Sequence, residues 1–257
     1  MQQLKRGLRE SPIRPLYIWM AQRYQQVRRL FIYPDTADVG VVDYDAYWDE
    51  KFEQGAGQLG AWRRRRAEVF TSLVQPGDRI LDLGVGDGAL LRYMIDHVDI
   101  EGYGLDVSEK AVAFCRSIGL NVDLADVNEP LERHISEPFD YIVLSEIIEH
   151  LPDPERLLNE LRPHARKGII VSVPNTGFHQ HRLRLLMGRF PLQWVVTPGE
   201  HLRFWTHRDF LWWARQLNFE VVKAIPYEGT PGLKRVYGAL FAAAFVYVLR
   251  ANHDDST

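Results

Sequence analysis

The chain has 257 residues, 46% hydrophobic and 25% charged, enough to bury the core of one α/β domain with appendages. A net charge of −3 and a pI near 6.3 argue against binding nucleic acid through overall charge, leaving only local basic patches for that role. The single cysteine, Cys115, excludes an intramolecular disulfide and a multi-cysteine metal site, and a cytoplasmic location is expected.

Residues 1–33 are rich in Arg and Lys, with Glu10 the only acid. Their apolar members Ile13, Leu16, Tyr17, Met20, Tyr24, Val27 and Leu30 fall at helical spacing. This predicts a basic amphipathic helix lying on the main domain with its arginines in water; docking on a membrane surface or a partner is the alternative. Next comes a linker and the start of an aromatic helix, whose Tyr44, Tyr47 and Trp48 are expected to form a lid. Residues 1–50 thus read as an extension, 51–250 as the main domain and 251–257 as a tail.

A helix is predicted from Trp62 to near Val74, with most of the arginines in "WRRRR" solvated and a nucleic-acid patch as the minority alternative. The strand Arg79–Leu83 runs into Gly84, Gly86 and Gly88 and then into the helical "ALLRYMIDHV". Strands are predicted at "GYGLDV", "VDLADV", "YIVLSE" and "GIIVSVP", and helices at "SEKAVAFCRSIG" and "PERLLNELRPHA". This is the βαβ rhythm of a doubly wound, mostly parallel sheet. Residues 174–206 look like an insertion covering the site, with a basic helix after Pro174–Asn175. Helix "RDFLWWARQLN", strand "FEVVKAIPYEG" and a last strand "AFVYVLRA" close the chain as an antiparallel hairpin. The uncharged run Val236–Leu249 falls short of the ~20 residues a bilayer span needs and reads as core.

Gly84, Gly86 and Ala89 satisfy the dinucleotide pattern, yet Asp82 and Asp87 flank the turn with charge that repels a pyrophosphate and suits an ammonium or sulfonium. S-adenosylmethionine carries both cations. Asp106, at the end of the second strand, is placed for the two ribose hydroxyls; Asp126, at the end of the third, for the adenine amino group; and the Val127 amide for a ring nitrogen.

On these residues, Ile80 to Val173 resembles the class I S-adenosylmethionine-dependent methyltransferases, through "DLGVGDG", "GLDVS", "ADV" and "FDYIVLSEIIEHLPDPERLLNEL". The resemblance implies a Rossmann-like sheet of seven strands with the last antiparallel, and the cofactor across the carboxyl edge. It adds Val107 and Ser145 to the cofactor set.

Glu146, Glu149 and His150 stand at i, i+3 and i+4, so one helical turn would gather two carboxylates and an imidazole, a set suited to a divalent cation such as magnesium, manganese or iron. The E-x-x-E-H spacing is similar to that of the ubiquinone-biosynthesis O-methyltransferases and of small-RNA terminal 2'-O-methyltransferases, which implies a metal that binds acceptor hydroxyls. His201 is the candidate fourth ligand, with His179 and His181 as rivals. In the metal-free alternative, His150 or His201, beside Glu149, is the base or a packing residue.

The chain also resembles the W-like proteins of methionine biosynthesis, notably at Pro174–Asn175 and the basic stretch that follows, although those relatives lack E-x-x-E-H. That resemblance implies a non-catalytic, cofactor-binding partner of a biosynthetic enzyme. The insertion's His179, His181, Arg182, Arg184, Arg189 and Arg203 point to an anionic acceptor, such as a nucleotide-linked sugar, lipid head group or RNA end, or else to a solvated basic helix. The expected function is O-methylation of a small molecule, glycan or lipid-linked acceptor, with nucleic acid disfavoured.

Overall fold

The computed structural model describes residues 20, 24, 27, 28, 30–33, 43–53, 57–193 and 200–252. Helix α1 spans Tyr44–Glu53 and α2 Ala61–Thr71. Then follow β1 Arg79–Leu83, α3 Ala89–Val98, β2 Glu101–Asp106, α4 Glu109–Ser117, β3 Asn121–Leu124, β4 Phe139–Ser145, α5 Pro154–Leu161 and β5 Ala165–Pro174. The chain closes with α6 His179–Leu186, α7 His207–Gln216, β6 Phe219–Gly229, the short α8 Leu233–Val236 and α9 Gly238–Phe241, and β7 Ala242–Ala251.

The seven strands order as β3-β2-β1-β4-β5-β7-β6, with β7 antiparallel to both of its neighbours and the rest parallel. Because a strand alternates its side chains, the central strands feed two cores. Leu81, Leu83, Ile142, Leu144, Ile169 and Val171 pack on one face, and Ile80, Val143 and Ile170 on the other. Both faces are covered, so these strands read as mostly apolar runs rather than alternating ones. Ser108 caps α4 by accepting from the Ala111 amide, and Asp153 caps α5 by accepting from Arg156. At Thr206–Asp209 a reciprocal capping box starts α7.

The strand order reverses between β1 and β4, which opens a crevice at their carboxyl ends where ligands bind in open α/β sheets. Two expectations need correcting. The third strand ends at Leu124, before Asp126, because the Asp126 side chain folds back to accept from the Asn128 amide at 2.8 Å. The apolar run from Val236 is broken by the short α9, and β7 starts only at Ala242. The basic helix expected after Pro174–Asn175 is α6. Among the described residues, no helix is long and apolar enough to cross a membrane.

Candidate active site

The glycine turn after β1 sets the floor of the site. Gly86 has φ +57°, and a Cβ there would lie 2.6 Å from the Trp48 ring, so both its backbone and its surroundings require glycine. Its amide donates to Asp106 Oδ2 at 2.8 Å, and the Ser108 amide donates to Asp106 Oδ1 at 3.0 Å. Each Asp106 oxygen keeps a lone pair for a hydroxyl. Burial raises the Asp106 carboxyl, with those amides opposing it. Gly88, in the left-handed region, caps α3.

The two acids flanking the turn differ in fate. Asp87 accepts from Arg63 and from the Gly57 amide. Burial would raise it, but the guanidinium and the amides prevail and hold it below the ordinary carboxylate range. Asp82 is buried and its Oδ1 has no partner. Burial, with Arg66 opposing and Asp106 and Asp87 adding to it, raises Asp82 to about 8. Asp87 is therefore spent on structure, and Asp82 alone of the pair remains open to a cation.

Arg65 meets Glu228 at 2.5 Å, and Arg66 lies 3.6 Å from Glu146. With Arg63 on Asp87, three of the four consecutive arginines hold carboxylates; Arg64 and Arg65 stay exposed, whereas Arg63 and Arg66 are partly drawn in from solvent. α2 straddles the crevice mouth, which brings these long side chains within reach of acids from three other segments.

Glu146 also departs from expectation. It has φ +59°, a strained conformation for a non-glycine residue, and ends the strand before a single 3₁₀ turn, Ile148–His150. Its carboxylate meets the Tyr227 hydroxyl at 3.1 Å and lies 3.6 Å from Arg66. The group with metal-ligand spacing is Glu149, His150 and His201, one ligand atom of each lying within 4.8 Å of the others. The reversed backbone at Glu146 is why one continuous helical turn does not form.

His201 arrives through backbone pairing: the Glu149 carbonyl accepts from the Leu202 and Arg203 amides at 2.8 and 3.0 Å. The Arg203 side chain reinforces this by donating to the Pro152 carbonyl at 2.5 Å. The His150 and His201 ring centroids are 4.7 Å apart. His150 Nδ1 faces the Glu200 carbonyl at 3.0 Å and must donate to it, which leaves Nε2 a lone pair. Burial lowers His150 and takes His201 to about 4, so both rings are neutral at pH 7. Burial, helped by Glu146, raises Glu149 well above its ordinary range. His181 lines the same cavity but packs on Phe178, with Nδ1 3.4 Å from the Leu192 amide, and His179 packs between Phe178 and Phe241. Neither joins the Glu149 group.

A cavity of about 1140 Å³ joins these parts. Val107, Asp126, Val127 and Ser145 line it beside Asp82 and Asp106, and Tyr44, Tyr47 and Trp48 of α1 line it too. α1 is held to α4 by Asp45 on the Ser108 hydroxyl at 2.5 Å and by Phe52 stacked on Phe114 at 4.5 Å. Asp82 Oδ1, Ser145 Oγ and both Glu149 carboxyl oxygens are buried without hydrogen-bond partners, and all three residues line this one cavity, as does Arg66, whose Nη1 makes the 3.6 Å ion pair with Glu146. Buried polar atoms rarely stay unpaired, so their convergence marks a binding site. Sequence reasoning missed Arg66 and Tyr227; no local pattern distinguishes Arg66 from its three neighbours.

A family model for methionine biosynthesis protein MetW matches residues 64–249. The chain belongs to that family. It is 29% identical over 167 residues to the bifunctional methionine biosynthesis protein MetXA/MetW of Rhodopirellula baltica, covering 59% of this chain but only 26% of that protein. A ubiquinone biosynthesis O-methyltransferase of Aromatoleum aromaticum is 29% identical over 174 residues, covering 63% of this chain and 71% of the relative. The SAM-dependent methyltransferase structure from Archaeoglobus fulgidus superposes with a TM-score of 0.57 at 21% identity, covering 80% of this chain and all of that one. The fold is that of the class I methyltransferases, the family match supports the W-like resemblance, and the O-methyltransferase relative supports the other.

Proposed function

We propose that this MetW-family protein binds S-adenosylmethionine and transfers its methyl group to a hydroxyl of a small molecule, glycan or lipid-linked acceptor. The observation that carries the reading is the set of unpartnered buried polar atoms in one cavity, divided between a cofactor end and an acceptor end. At the cofactor end Asp82 suits the α-ammonium, Asp106 the ribose hydroxyls, and Asp126 with Val127 the adenine edge. At the acceptor end His150 Nε2 or His201 takes the hydroxyl proton as the oxygen attacks the methyl carbon and the carbon–sulfur bond breaks. Tyr44, Tyr47 and Trp48 of α1, and Phe178, Gln180 and His181 of the insertion, act as covers over this reaction.

Glu149, His150 and His201 also suit a divalent cation such as manganese or iron, because a buried carboxyl with both oxygens unpartnered beside two neutral imidazoles is a ready donor set. Bound there, the cation would lower the pKa of an acceptor hydroxyl. The acceptor need not be anionic. Arg182, Arg184, Arg189 and Arg203, expected to attract anionic groups, instead donate to the carbonyls of Gly177, Phe190, Phe31 and Pro152.

A second reading is a non-catalytic cofactor-binding partner of a biosynthetic enzyme, which the family match and the fused MetXA/MetW relative favour. An acceptor-library assay with labelled S-adenosylmethionine separates the two: methyl transfer to a hydroxyl compound supports the enzyme, and cofactor binding without transfer supports the partner.

Two results are expected at the cofactor end. Asp106→Ala should weaken S-adenosylmethionine binding by about 1–3 kcal/mol, measured by calorimetry, for the lost ribose hydrogen bonds; unchanged affinity would refute the ribose assignment. Affinity should also depend on pH. Asp82 is protonated below about 8 and must lose that proton to pair with the ammonium. Affinity should therefore rise toward that pH by at most about tenfold per unit, then fall as the ligand's α-amino group, with a pKa of about 7.7–8.0, deprotonates. A flat profile would mean that Asp82 is not the ammonium's partner.

A further inference from the structure

Met20, Tyr24, Val27 and Phe31 are spaced to share one helical face, and each is more than half exposed; of the expected stripe, Leu30 is half-buried, and Ile13, Leu16 and Tyr17 lie outside the described residues. Beside it, α6 and the turn after it expose Leu185, Leu186, Met187 and Phe190, with Leu186 84% exposed. Arg189 joins the two segments by donating to the Phe31 carbonyl at 2.7 Å and lying 4.4 Å over the Tyr33 ring, and Arg184 adds a bond to the Ile32 carbonyl at 3.2 Å. The charge here has one sign: among the described residues of these two segments, 20–33 and 175–193, the charged side chains are Arg28, Arg182, Arg184 and Arg189, with no acid.

We propose that this face, the exposed stripe from Met20 to Phe31 together with Leu185, Leu186, Met187 and Phe190, docks the protein on an anionic lipid surface. Large apolar side chains flanked by arginines, without acids, are what an interfacial element needs: the former enter the acyl boundary and the latter meet the head groups. A second copy of the chain would bring like charge to like charge, which disfavours self-association through this face. The same α6 turns Gln180 and His181 into the cavity, and Ile32 lines it as well, so the mouth borders the docking face. Given the methyltransferase reading, which this point rests on, a bilayer-resident acceptor then reaches the site from the membrane.

Flotation of the full chain tests this, with vesicles of phosphatidylcholine alone and of phosphatidylcholine with phosphatidylglycerol. The test variant is Leu186→Asp with Phe190→Asp; both positions are exposed and outside the cavity lining, and circular dichroism checks the fold. Binding is expected only to the phosphatidylglycerol vesicles, weakened by salt and reduced roughly tenfold or more in the double variant, with calorimetric S-adenosylmethionine binding unchanged. No flotation with anionic vesicles, or equal flotation of the double variant, overturns the proposal. So does a dimer in solution that the double variant abolishes, without vesicle binding. Flotation without any S-adenosylmethionine binding would support the docking face and overturn the methyltransferase reading alone.

Discussion

Arg63→Ala will destabilise the protein by about 3 kcal/mol, whereas Arg64→Ala, one residue along the same helix, will change stability by no more than about 0.5 kcal/mol. Asp87, its side chain 1% exposed, relies on Arg63 for its compensating charge. Removing one partner of a buried pair leaves the other uncompensated, typically at about 3–5 kcal/mol. The lower end applies because Arg63 is itself 33% exposed and the Gly57 and Ala89 amides still reach Asp87. Arg64 is exposed. Urea denaturation measures both. Equal stabilities of the two variants would show that the ion pair contributes nothing, and that Asp87 is held by the amides alone.

Glu149→Ala will lower turnover by about 10²-fold or more while leaving S-adenosylmethionine affinity almost unchanged, because the carboxyl sits among the imidazoles at the acceptor end rather than at the glycine turn. The loss will not reflect unfolding: replacing a buried carboxyl with no hydrogen-bond partner by a methyl group removes a desolvation cost. Glu149→Gln tells the two chemistries apart. If Glu149 works as a neutral acid donating a hydrogen bond, as its raised pKa favours, the amide keeps much of the activity and a chelator has no effect. If it holds a cation, the cation would ionise it, glutamine would fail as alanine does, and a chelator would abolish turnover until metal is restored. Wild-type turnover in Glu149→Ala would remove this group from the mechanism.

The layout of the sheet was legible because it is written in short-range patterns. Apolar runs such as Ile80–Leu83 and Ile169–Val173 mark strands covered on both faces, and glycines at a strand's end mark a turn that backbone sterics permit few other residues to make. The acids at strand ends, Asp82 and Asp106, were equally local, since a parallel βα unit carries its strand end to the crevice whatever the rest of the chain does. The same locality explains the misjudged pieces. Helical spacing put Glu146 with Glu149 and His150, but the left-handed backbone at Glu146 breaks the helical turn, and its carboxylate meets Tyr227 from 81 residues away.

What the sequence determined by itself is therefore the class of fold, the glycine turn and the order of its acids. The tertiary structure decided which of several equivalent residues act. Four adjacent arginines are chemically identical, yet they point about 100° apart around a helix, and only packing assigns Asp87, Glu228 and Glu146 to three of them. Likewise His179, His181 and His201 are indistinguishable as candidate ligands until the Glu149 carbonyl pairs with the Leu202 and Arg203 amides and carries one of them to the site. That pairing closes a loop of some fifty residues, and no periodicity within the loop encodes where its end will dock.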